Sequence, residues 1–123
     1  MVVVVIIIGI IIYFVSKNGK KVVFKSKEIN TFNTFYSSAS GVQYNKRCTF
    51  YEHQFANGES ELVIKISGLQ PMKFNLINEP YKVGDGVFFM MSSIDSKIQN
   101  INMIMSENSA HITFPDKSIL TFE

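Results

Sequence analysis

Residues 61–78 read ELVIKISGLQPMKFNLIN. Leu62, Ile64 and Ile66 alternate with Glu61, Lys65 and Ser67. Gly68-Leu69-Gln70-Pro71 then breaks the run, and Met72, Phe74 and Leu76 alternate with Lys73 and Asn75. A period of two puts the two sets of side chains on opposite faces of a strand. Two such runs joined by a tight turn predict neighbouring antiparallel strands, each with one buried face and one wet face.

The same rhythm extends in both directions. On the N-terminal side, Tyr44 to Phe55 (YNKRCTFYEHQF) reads as one long, bulged strand. It runs into Ala56-Asn57-Gly58-Glu59, which contains the Asn-Gly hairpin signal. Further upstream, Lys21 to Lys25 forms a short strand and Ile29 to Tyr36 a weaker one, with Phe32 and Phe35 on opposite faces. Ser37 to Gly41 is a loop. Downstream, a connection punctuated by Pro80, Gly84 and Gly86 leads into Val87 to Ile94 (VFFMMSSI). The apolar first half of that run predicts a central strand.

Ile98 to Met105 places Ile101, Met103 and Met105 on one face, and Ala110 to Phe114 directs Ala110, Ile112 and Phe114 inward. Ser118 to Phe122 closes the series. Asp95 and Asp116 fall in the intervening turns, and Gly84-Asp85-Gly86 is what a tight turn requires. The expected fold is all-β: an antiparallel meander of seven to nine strands forming a small barrel or sandwich.

The start of the chain is different. Val2 to Val15 (VVVVIIIGIIIYFV) is an uncharged apolar run. A cleaved signal peptide fits poorly, because nothing basic precedes the run and Ser16-Lys17-Asn18-Gly19 is a poor cleavage site. A strand of this length, apolar on both faces, would be long for a small domain and prone to aggregate. The preferred reading is a single transmembrane helix, since a helix satisfies its own backbone hydrogen bonds in lipid. Val2, Ile6, Ile10, Tyr13 and Phe14 mark this anchor, with the two aromatics at interfacial positions.

At ~1.5 Å per residue the run spans roughly 22 Å of a ~30 Å hydrocarbon core. It therefore needs the following lysines to snorkel. Residues 1–17 are assigned to the anchor, 18–28 to a basic juxtamembrane linker with a possible first strand, and 29–123 to the β-domain.

Charge is distributed unevenly. Lys17, Lys20, Lys21, Lys25 and Lys27 precede every acidic residue, whereas from Glu28 onward seven basic and ten acidic residues leave a net −3. The lysines form a collar suited to the membrane surface. Retention of positive charge on the inner side predicts a cytoplasmic β-domain; an exported domain is the alternative. The mildly acidic body argues against nucleic-acid binding. Abundant Ile, Asn, Lys and Phe point to an AT-rich genome, bacterial or viral.

Catalytic signals are absent. Cys48 is the sole cysteine, so no intrachain disulfide forms. His53 lies five residues from it, on the opposite face of a regular strand, and His111 faces away from Ala110 and Ile112. Four metal ligands at recognisable spacing are not present, and no phosphate loop, dinucleotide fingerprint or GxSxG motif occurs. No cofactor is expected. Met90, Met91, Met103 and Met105 read as filler between two neighbouring strands. Asn100 and Asn102 lie on the other face of theirs, which is either solvated or an edge able to accept a partner strand.

No motif ties the chain to a known family. The expectation is a membrane-anchored, non-enzymatic β-domain that binds another protein as an accessory subunit, scaffold or inhibitor. The alternative is an exported or virion-surface β-domain that captures a ligand or inhibits an extracytoplasmic enzyme.

Overall fold

A computed structural model describes residues 23–123. The expected anchor and the first three lysines of the collar lie outside the described residues. Within them the chain is all-β and antiparallel, with no helix. Eleven strands are present among these residues, more than the seven to nine expected. They are β1 (Val23–Phe32), β2 (Phe35–Ser37), β3 (Val42–Tyr44), β4 (Cys48–Phe55), β5 (Ser60–Ile66), β6 (Met72–Leu76), β7 (Tyr81–Val83), β8 (Gly86–Ser93), β9 (Ile101–Met105), β10 (Ala110–Thr113) and β11 (Ile119–Phe122).

The additional strands arise where a single expected run is cut by a corner. Ile29 to Tyr36 is not one strand: β1 ends at Phe32, and the chain turns at Asn33-Thr34 before β2. The backbone N–H groups of both corner residues donate to the Glu123 carbonyl at 2.9 and 3.0 Å. Because the chain turns there, Phe32 and Phe35 both face the core, at 3% and 4% exposure, instead of opposing one another. Tyr44 to Phe55 likewise splits into β3 and β4 around Asn45–Arg47.

The strands form one sheet in the order β1-β4-β5-β6-β8-β9-β10-β11-β2-β3, with β7 paired outside β8. This is neither two stacked sheets nor a closed barrel, since no ladder joins β1 to β3 among the described residues. The sheet is nonetheless rolled. Phe50 on β4 meets Phe32 on β1 edge-on at 5.5 Å and Phe122 on β11 at 4.8 Å. Strands far apart along the sheet thus share one interior. Phe50, Leu62, Ile64, Met91, Ile101, Met103, Ile112 and Phe122 fill it, all essentially without solvent contact. Burying apolar surface on this scale is the main favourable term in folding.

Local chemistry sets the turns. Gly58 has φ 88°, the left-handed conformation that the Asn-Gly hairpin needs, and the Asn57 side chain accepts the Glu59 N–H at 3.0 Å. Gly86 is required for another reason: a Cβ there would lie 3.1 Å from Ile104 Cγ2 and 3.2 Å from the Met105 carbonyl. Asp95 accepts the Ser93 hydroxyl at 2.7 Å and the Lys97 N–H at 3.0 Å. Asp116 does the same for the Ser118 hydroxyl and N–H. In each case the Ser hydroxyl bond and the backbone N–H bond hold the carboxyl below its usual pKa.

Candidate functional site

The middle of the inward face is closed by packing, and the outer face of the sheet is the broadest surface left for recognition. Cross-strand register fixes which residues are neighbours there. One row runs through seven strands: Tyr81 (β7) pairs with Phe88 (β8), Phe88 with Ile104 (β9), Ile104 with His111 (β10), His111 with Thr121 (β11), Thr121 with Tyr36 (β2), and Tyr36 with Gln43 (β3). A second row alongside it runs Met90, Asn102, Thr113 and Ile119. None of these eleven positions is Asp, Glu, Lys or Arg.

At about 4.8 Å between strands, the first row follows the sheet for roughly 29 Å. Tyr81, Ile104 and Tyr36 are exposed at 52%, 46% and 42%, and Met90 and Ile119 are also exposed. The Tyr81 and Phe88 rings contact at 5.3 Å. Within the row, the Thr121 hydroxyl and His111 Nδ1 are 3.4 Å apart. Apolar and aromatic side chains interleaved with neutral hydrogen-bonding groups, and free of formal charge, match the desolvatable centre of protein interfaces.

The outer face of β1, β4, β5 and β6 is built otherwise. Its rows contain Glu28, Glu61, Lys65 and Lys73. The Lys65 ammonium sits 5.0 Å over the Tyr51 ring. Val63, although it points outward, is only 2% exposed between Tyr51 and Lys73. His53 in this region has its pKa lowered, first by burial and then by the Lys65 charge. The Thr31 hydroxyl on this face donates to Glu28 at 3.1 Å.

The chemistry-bearing residues are scattered. Cys48 is fully buried, and burial pushes its thiol up to about 11, so it stays protonated at neutral pH. Its sulfur lies 3.3 Å from the Lys46 carbonyl. His53 faces outward from the same strand and His111 lies in the charge-free row. Among the described residues no group of three His, Cys, Asp or Glu side chains is placed to hold a metal ion.

Of the methionines, Met91, Met103 and Met105 are core, while Met90 emerges on the charge-free face. The idea that Asn102 marks an edge strand is corrected: β9 is hydrogen-bonded on both sides, to β8 and β10, so its backbone is already used. Of the collar, Lys25 and Lys27 lie on the exposed N-terminal half of β1, opposite Gln54 and Glu52.

Beside that half-strand is an open groove of about 820 Å³, lined by Phe24, Glu52, Ile77, Glu79, Pro80 and Ile94 among others. Phe24 is 77% exposed. Comparison with family models, curated proteins and solved structures finds no match to the chain.

Proposed function

We propose that the protein is a membrane-anchored, non-enzymatic β-domain that binds another protein through the outer face of β7, β8, β9, β10, β11 and β2. One observation carries the reading: the cross-strand row from Tyr81 to Gln43 has no charged residue, whereas the corresponding face of β1, β4, β5 and β6 has four. A solvated surface has no reason to exclude charge over seven strands. An interface centre does, because an unpartnered charge there is costly to desolvate.

The anchor rests on the apolar run Val2–Val15 and the lysines that follow it. The positive charges support a β-domain on the cytoplasmic side. A reporter fused at Glu123 tests this: phosphatase activity with no fluorescence would put the domain outside and favour the exported, inhibitory alternative. Binding is tested by mild detergent extraction of the full chain through a C-terminal tag. The expected result is a stoichiometric companion that the Ile104→Lys protein fails to retain. A lone monomer in the unaltered protein would overturn the reading.

A further inference from the structure

The β-domain starts close to the proposed anchor. Seven residues, 16–22, separate Val15 from Val23. Even fully extended, the eight Cα steps from Val15 to Val23 reach about 28 Å, so the start of β1 is held within that distance of the end of the apolar run. At this end the domain exposes apolar side chains from three separate elements: Phe24 on β1, Ile77 after β6 and Ile94 after β8. All three line one groove, and they are exposed at 77%, 49% and 48%. Lys25 and Lys27 project from the same strand as Phe24 and are exposed.

An exposed Phe followed by Lys25 and Lys27, with two Ile on the same groove, is a side-chain set suited to the region between headgroups and acyl chains. Phe24, Ile77 and Ile94 come from distant parts of the sequence and yet line one groove, and solvent alone gives no reason for that. The bilayer that the tether holds within reach does.

We infer that the Phe24–Ile77–Ile94 edge of the β-domain lies in the interface of the bilayer, so that the domain docks on lipid rather than swinging free above it. This rests on the anchor reading, and it leaves the Tyr81–Gln43 face turned toward a partner. Glu52, Glu59 and Glu79 also line the groove, so the surface fits zwitterionic rather than anionic lipid.

The chain contains no Trp, which makes single-Trp probes unambiguous. Full-length Phe24→Trp, Ile94→Trp and Ile104→Trp proteins would each be reconstituted in phosphatidylcholine vesicles with brominated acyl chains, whose bromines quench only nearby indoles. All three positions are exposed, and the first two report from different elements. The expected result is quenching at Phe24→Trp and Ile94→Trp at least twice that at Ile104→Trp. A smaller ratio, in protein that floats with the vesicles, overturns the docking. Stronger quenching at Ile104→Trp would instead lay the charge-free face on lipid and overturn it as well. Protein that does not float refutes the anchor itself, a failure seen before any quenching is measured.

Discussion

The two halves of the sheet share an interior but not an exterior. Beneath both lie the same aromatic contacts, with Phe50 reaching Phe122 across the roll. Outside, β1, β4, β5 and β6 carry Glu28, Glu61, Lys65 and Lys73. Across β8, β9, β10, β11 and β2 the outward positions are Phe88, Met90, Asn102, Ile104, His111, Thr113, Ile119, Thr121 and Tyr36. Folding needs the inner alternation and is nearly indifferent to the outer one. A difference confined to the outer face is therefore not a requirement of folding, and it is what supports the proposal that one half faces water and the other a partner.

The most forceful way to break this comparison is to remove the shared interior. Phe50→Ala should cost about 3–5 kcal/mol, as for other fully buried aromatics, measured by denaturant unfolding of the full chain. A cost below about 1 kcal/mol would mean that the halves do not pack on a common core.

Next comes the outer difference itself. Ile104→Lys should lower partner retention more than tenfold, equivalent to about 1.4 kcal/mol. It should shift folding stability by no more than about 0.5 kcal/mol, as is usual for a surface change. Lys73→Glu on the charged half should leave retention unaltered. Equal effects at the two positions would erase the distinction.

A smaller change probes the charged half alone. Lys65→Ala removes the ammonium over Tyr51 and should cost about 0.5–1 kcal/mol of stability, with no change in binding.

The smallest concerns His53. Burial, then Lys65, lowers its pKa in the folded state below the usual 6.5. The unfolded chain therefore takes up the proton first as the pH falls. The favourable contribution of neutral His53 is intact above the unfolded pKa and is lost as the pH drops through it toward the folded value. His53→Gln should flatten the loss of stability between pH 7.5 and 5.5 relative to the unaltered chain. Identical slopes would exclude His53 as its source.

The sequence exposes these features unevenly. Leu62, Ile64 and Ile66 alternate with polar neighbours on a strand wet on one side, so their burial is plain from spacing. Asn57-Gly58, Asp95 and Asp116 are equally legible, because turn geometry demands those side chains locally. The corner at Asn33-Thr34 is not. It contains neither Gly nor Pro, and what holds it is a carbonyl 90 residues downstream at Glu123. The edge reading of Asn102 failed for a related reason: whether a strand has two neighbours is decided by the roll of the sheet and not by its own residues.

The charge-free row is the hardest to see. Its members stand at positions 36, 43, 81, 88, 104, 111 and 121, and only register makes them adjacent. A trace was present in the absence of charge from the alternate positions Asn102, Ile104, His111, Thr113, Ile119 and Thr121. Spacing alone gives that absence no weight until the strands are aligned.

The placement of β11 has a consequence for synthesis. This last strand lies between β10 and β2, and Phe122 closes against Phe35 and Phe50. Strands β2 and β3 emerge from the ribosome early but cannot join the sheet until the chain has been extended through Glu123. The interior that Phe35, Phe50 and Phe122 share is therefore completed only when β11 is in place, after every other strand has been made.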